Sequence, residues 1–315
     1  MRRAIGPILV LVAAALGATA FFARGGHVLP GQKWDLSKHA ASVVGQRYFQ
    51  EVYRAQKRAI RNLKSGYVPD RDDEKTAVAF RGVTEVCAVT SIGRVSEKRV
   101  TMEAWRVLLP NGKSDSCLEG RTVKVQGVDN ETLYSVEGAS VPPLSDDATA
   151  FIRGQIAKKA PHVEDDAIQG ELEEILPKEP VAEGAEWPID PEAIDDIVFG
   201  GTPLFREQSS GKGRLVRVHV EDGITMGLVD AVVEIRLRLV PNERMYWSQG
   251  GFARIHFVSD RPLDPSARNV RVWKTELTLE GIAVARVNDQ PVDCRIVMSV
   301  TEDRKRGPLD PAPPK

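Results

Sequence analysis

Long runs in which apolar and polar residues alternate at period two constrain this chain most. Val233, Ile235, Leu237 and Leu239 alternate with polar neighbours, as do Val292, Cys294, Ile296, Met298 and Val300. Successive side chains of a strand point to opposite faces, so such runs cover one face and leave the other wet. That pattern belongs to antiparallel sheets and excludes a doubly wound parallel one. Strands are expected over 76–92, 98–109, 116–128, 131–137, 213–220, 231–240, 251–258, 270–286 and 291–302. Asp222-Gly223, Pro110-Asn111-Gly112 and Pro241-Asn242 read as hairpin turns.

A second feature suggests internal repetition. Gly31-Gln-Lys-Trp34 is echoed by Gly184-Ala-Glu-Trp187, and each block is followed by a residue able to cap a helix, Ser37 or Asp190. Helices are expected over 38–44 and, with Pro191 at the first position, over 191–199. Leu109-Pro-Asn111 and Val240-Pro-Asn242 then close a long hairpin in each half. The first half is longer by roughly 20 residues, and a helix over 46–64, rich in Arg, Gln, Lys and Ala, would account for them, although read at period two Tyr48 to Val52 fits a strand instead. Residues 67–75 read as a charged turn region. Between the halves, 146–159 and 165–176 read as helices, and Asp146 to Asp196 carries 15 acidic against four basic residues. The fold class expected is therefore α+β, mostly antiparallel β: two similar β-rich lobes, 25–145 and 181–306, joined by an acidic helical linker, 146–180. Residues 307–315 read as a proline-rich tail without structure.

Residues 1–24 read as an export signal. Arg2 and Arg3 precede a 19-residue uncharged run from Ile5 to Ala23, and Ala18-Thr19-Ala20 fits a cleavage site. The same run is long enough to stay as an anchor and give membrane association. In either case the rest of the chain is expected outside the cytoplasm, on the periplasmic or extracellular side. With 43 basic and 44 acidic residues and only 6% aromatics, nothing calls for nucleic acid as a partner. Three cysteines are too few for a disulfide scaffold; Cys87 and Cys117 could pair, and Cys294 falls on an apolar face as a buried thiol.

No catalytic signature stands out, and the sequence assigns no catalytic, cofactor-binding or metal residue and no cofactor. His27, His39, His162, His219 and His256 lack ligand spacing. His219 and His256 fall on the polar side of their strands and would make a metal or acid/base pair only if those strands were neighbours. Ser209-Ser-Gly-Lys-Gly213 reads as a turn rather than a phosphate loop, and Asp70 to Glu74 as a solvated turn rather than a calcium loop. The basic stretch Arg47, Arg54, Lys57, Arg58, Arg61, Lys64 reads as a solvated face, with anionic headgroups or the acidic linker as rival partners. Trp34 and Trp187 read as core plugs with locally bonded N–H groups, against a ligand-stacking role.

Val181-Ala-Glu-Gly-Ala-Glu-Trp187, the helix after it and the strand and turn from Glu85 to Gly93 resemble uncharacterised exported bacterial β-rich proteins with a Gly-x-x-Trp strand start. That resemblance implies fold and export only. The functional expectation is a non-catalytic, exported cell-envelope protein in a binding or scaffold role, holding an apolar small molecule or a protein partner. The alternatives are an enzyme, hydrolytic or metal-dependent, with a site assembled from distant residues, and an assembly subunit pairing through an edge strand.

Overall fold

The computed structural model describes residues 31–36, 43–62, 71–90, 95–108, 114–128, 131–137, 144–152, 174–198, 204–238, 245–263, 271–287 and 290–309. The first half contributes β1 (Lys33–Trp34), β2 (Arg47–Asn62), β3 (Arg71–Val89), β4 (Val95–Leu108), β5 (Ser114–Asp115), β6 (Thr122–Val128) and β7 (Glu131–Glu137). Helix α1 (Asp146–Phe151) follows, then β8 (Val181–Ala182), β9 (Glu186–Pro188) and helix α2 (Pro191–Val198). The second half adds β10 (Ser210–Glu221), β11 (Ile224–Leu237), β12 (Met245–Pro262), β13 (Arg271–Val287) and β14 (Gln290–Pro308).

One antiparallel sheet runs in the order β7-β6-β4-β3-β2-β14-β13-β12-β11-β10-β9, with β5 beside β4. Strands β1 and β8 form a separate small ladder. Each half supplies a five-strand meander, β2-β3-β4-β6-β7 and β10-β11-β12-β13-β14, and the two join where β14 pairs with β2 from Cys294↔Asn62 to Pro308↔Tyr48.

This architecture corrects the α+β expectation. The structure is nearly all antiparallel β, and among the described residues α1 and α2 have only 6 and 8 residues, too short to form a layer or a helical linker. The expected helix over 46–64 is strand β2. Its inward positions are Tyr48, Gln50, Val52, Arg54, Gln56 and Arg58. The middle of that face, Arg54, Gln56 and Arg58, is polar, so the alternation that marks the other strands is interrupted. Pairing along both edges of β2 overrides the helix propensity of its Arg, Gln and Lys residues. Residues 71–75, expected as a turn, lie in β3, and 307–308, expected as tail, lie in β14. Ser116 to Gly120, expected as strand, is a turn ahead of β6. The expected helix over 38–44, most of those over 146–159 and 165–176, the N-terminal 24 residues and both Pro-Asn turns lie outside the described residues; Val43 and Val44 are not helical.

One face of the sheet, here the inner face, carries two large apolar cores, and Tyr48, Val86 and Val95 form a third, small cluster. The larger sets Leu215 of β10, Val229, Ala231, Val233, Ile235 and Leu237 of β11, and Ala253, Ile255 and Phe257 of β12 against Leu36, Ile175, Leu176, Trp187, Ile189 and Ile194. The smaller packs Phe80, Val100, Met102, Trp105, Val107, Val123 and Val125 under Leu118, Ala148 and Ile152. Each fully buried aliphatic side chain contributes about 1.5–3 kcal/mol. The two Gly-x-x-Trp blocks are used differently. Trp187 in β9 docks on β10, whereas Trp34 in β1 pairs with Val181 of β8, and both tryptophans join the larger core. Both block glycines are left-handed (φ 83° at Gly31, 80° at Gly184), which explains glycine at the head of the motif. Asp222 and Gly223 have φ 49° and 79°, the twist a two-residue hairpin turn requires.

Candidate functional site

The outer face of β10 to β12 carries one half-buried polar cluster. Its origin is a β-bulge in β10, where the register with β11 shifts between Leu215 and Arg217. Leu215 and Gly213 face inward before the bulge. After it Val218 is the inward residue, 8% exposed, and Arg217, His219 and Glu221 face outward. An inserted residue moves every later side chain to the opposite face. His219 stands opposite Met226, 2% exposed, which gives the cluster an apolar floor.

Asp260 of β12 reaches across β11 to this spot. His219 Nε2 lies 3.3 Å from Asp260 Oδ2, with side chains 16% and 22% exposed. Nε2 or Nδ1 of His219, one oxygen of Glu221 and one of Asp260 lie within 4.8 Å of one another. Burial pushes the Asp260 carboxyl above its ordinary value, against the pull of His219 and Arg217. Burial also raises Glu221, and the Asp260 charge adds to the effect; Lys305 opposes it. Nδ1 of His219 and Oδ1 of Asp260 are buried and have no hydrogen-bond partner among the described residues. One imidazole and two carboxylates over an apolar floor can bind a cation or exchange a proton.

His256 is not part of this cluster. Its Nε2 is 3.2 Å from Asp230 Oδ1, and its neighbour across β13 is Glu276, which pairs with Lys274 at 2.6 Å. The positions opposite the two histidines on β11 are Met226 and Val232. Six residues of strand span roughly 20 Å. The two histidines therefore share a face but not a site, which removes the joint His219–His256 centre considered from the sequence. Each has instead an aspartate two strands or one strand away, a partner that no sequence spacing reveals. His27, His39 and His162 lie outside the described residues.

The inner face offers a second candidate, between the two cores. There β13, β14 and β2 bring Leu277, Val300 and Gln56 into one row and Leu279, Met298 and Arg58 into the next. Leu277 and Met298 are only partly buried, and Gln56 Nε2 lies 3.8 Å from the Met298 sulfur. Beside this apolar floor Glu302 accepts from Arg304 at 2.5 Å and lies 3.9 Å from Arg54, whose side chain is 40% exposed.

The remaining motifs are structural. Trp187 is buried, and its Nε1–H donates to the Ile175 carbonyl at 2.7 Å, so it is a core plug with a local bond. Trp34 packs against the same core, but its Nε1 is buried without a partner among the described residues. Ser210 to Gly213 are strand residues of β10 rather than a turn, and Gly211 and Gly213 make room for Ile189 and Trp187. The basic stretch alternates with β2, so Arg54 and Arg58 face inward and Lys57 outward. Arg71 to Glu74 belong to β3, and Asp70 lies outside the described residues. Cys294 is buried, its thiol 3.7 Å from the Val292 carbonyl, and neither Cys87 nor Cys117 is in a disulfide, so the pairing considered for those two is not made. Burial raises the Cys87 thiol, with Glu85 and Glu97 adding to it. Cys117 lies beside Ser145, the N-cap of α1, and beside Asp115, which accepts from the Ser145 hydroxyl. Another shallow hollow of about 710 Å³ lies over the Lys212–Glu186 and Arg254–Glu234 pairs.

No family model and no curated protein matches the chain. Among solved structures, lipovitellin, described for its lipid–protein interactions, aligns over 86% of this chain and 26% of its own, at 8% identity and a TM-score of 0.34. The chain thus spans about a quarter of that protein. A mutant of the Rh. blastica porin aligns over 82% of this chain and all of its own (10% identity, TM-score 0.17), and Salmonella typhi OmpF over 82% and 97% (6%, 0.19). These matches decide neither family nor activity.

Proposed function

We propose that the chain is an exported, non-catalytic binding protein of the cell envelope that holds an apolar or lipid-like ligand on the inner face of its sheet, between the two cores. The observation that carries the reading is the partly buried pair Leu277 and Met298, in adjacent rows beside buried Val300 and Leu279 where the two meanders meet, bordered by Arg54 and Arg58. An apolar strip flanked by guanidinium groups fits an acyl chain with an acidic head, the chain taking the strip and the head the arginines. Residues 1–24, read as an export signal or anchor, support the location.

Native mass spectrometry of protein purified without detergent tests the reading, together with titration of the delipidated protein with a fluorescent long-chain fatty acid. Retained lipid and saturable uptake are expected, with uptake reduced at least about tenfold by Met298→Glu, since a charge on the floor has to be desolvated. Protein that carries no small molecule and takes up no acyl probe overturns the reading, as does capture of a protein partner on this face in place of lipid.

A further inference from the structure

We infer that His219, Glu221 and Asp260 form a binding site for a divalent first-row transition ion of zinc size, on the outer face of the sheet and independent of the inner-face ligand reading. Three observations lead there. The first is distance. Zinc–nitrogen and zinc–oxygen bonds of about 2.0–2.1 Å at tetrahedral angles place neighbouring ligand atoms about 3.3–3.4 Å apart. His219 Nε2 and Asp260 Oδ2 are 3.3 Å apart. Glu221 sits two residues from His219 on the same outward face, next to the Asp222-Gly223 turn, and its long side chain has the freedom to close the third position.

The second is chemistry. One imidazole and two carboxylates suit zinc, manganese or iron(II), and three protein ligands leave a further position open. The third is the uncompensated oxygen: Asp260 Oδ1 is buried without a hydrogen-bond partner among the described residues, over a floor made by Met226. A buried carboxylate oxygen lacking a donor is costly, and a cation satisfies it. Arg217 and Lys305 offset part of the carboxylate charge, on Asp260 and Glu221 respectively, and having no acceptor they supply no ligand to the ion. The bulge in β10 turns His219 and Glu221 to the face that Asp260 occupies, the use to which bulges near sites are put.

The second histidine–aspartate pair is the internal control. His256 and Asp230 lie at a similar 3.2 Å on the same face, but Glu276 beside them is engaged by Lys274, and among the described residues no third ligand atom converges. The test is calorimetric titration of the chelator-treated full chain with Zn²⁺, and absorption spectra with Co²⁺. Binding of one equivalent with a tetrahedral cobalt spectrum is expected. His219→Ala and Asp260→Asn should each weaken it at least about 100-fold, the upper end of what even outer-shell losses cost, while His256→Ala leaves it unchanged. Circular dichroism confirms that each variant is folded, and Glu221→Gln, the most conservative change, should weaken binding without altering the spectrum of the fold. No binding by the wild type, or equal losses from His256→Ala and His219→Ala, overturns the site and leaves His219 and Asp260 as an ion pair only. Neither result touches the acyl-probe measurement, so the two readings fail separately.

Discussion

Replacing each block tryptophan by phenylalanine separates a bonded indole from an unbonded one in the same core. In Trp187→Phe the Ile175 carbonyl, on a residue with 0% exposure, loses the donor that reaches it at 2.7 Å. A buried acceptor left without a partner costs about 1–3 kcal/mol. The smaller ring leaves a void beside Gly213, adding about 1 kcal/mol. The expected loss is about 2–4 kcal/mol, a sizeable share of a typical 5–15 kcal/mol total. Trp34→Phe removes a donor that is buried with no partner among the described residues. Relief of that unmet donor offsets the lost packing, and the net change should stay within about 1 kcal/mol of zero. Urea unfolding followed by circular dichroism measures both, and with m of about 1–3 kcal/mol/M the Trp187 variant should unfold about 1 M earlier. Equal losses in the two variants, or a Trp187 variant as stable as wild type, would refute the view that the indole N–H distinguishes the two blocks.

Gly213→Ala should destabilise by about 1–3 kcal/mol in the same assay, because its Cβ would sit 2.4 Å from the Trp187 indole, which the Ile175 bond holds in place. A neutral result would mean that β9 is free to shift. At the cap of α1, Asp115 accepts from Ser145 Oγ and from the Cys117 N–H at 2.8 Å; burial works against the charged carboxylate, but these bonds win and hold its value below the ordinary 3.8. A lowered folded value means stability that is fully present above 3.8 and lost as pH falls through the folded value. Asp115→Asn should therefore cost about 1 kcal/mol near neutral pH and nothing once pH is well below 3.8, as thermal melts across pH 2–7 would record. A constant gap at all pH values would contradict that assignment.

What the sequence made legible follows from where each strand sits. Strands β11 and β12 cross the larger core and their inward residues alternate cleanly, and Asp222-Gly223 marks the hairpin into β11. Strand β2 lies at the join between the cores, and its inward Arg54, Gln56 and Arg58 give it the composition of a helix. Helix α2 was readable from Asp190 and Pro191, and its first turn is closed by the Asp190 carboxylate accepting from the Glu192 N–H at 3.0 Å. The His219 cluster was half legible: the residue stands out as polar on an apolar strand, but its partner is 41 positions away and two strands over. The bulge that turns His219 outward has no composition of its own, because Val216 reads like any other strand valine.

The join between the meanders explains why the chain reads as two lobes yet builds one sheet. Backbone hydrogen bonds do not depend on side-chain polarity, so the β14–β2 ladder runs unbroken from Cys294↔Asn62 to Pro308↔Tyr48. Side-chain burial does depend on it, and there the inward row changes from Leu277 and Val300 to Gln56, and from Thr275 to Glu302 and Arg54. The apolar cores therefore stop on either side while the ladder continues. Cooperativity carried by side-chain packing is weakest at such a boundary, and cooperativity carried by the backbone is not. A surface that is apolar, incompletely covered and bordered by cations is the physical consequence of ending two cores on one sheet.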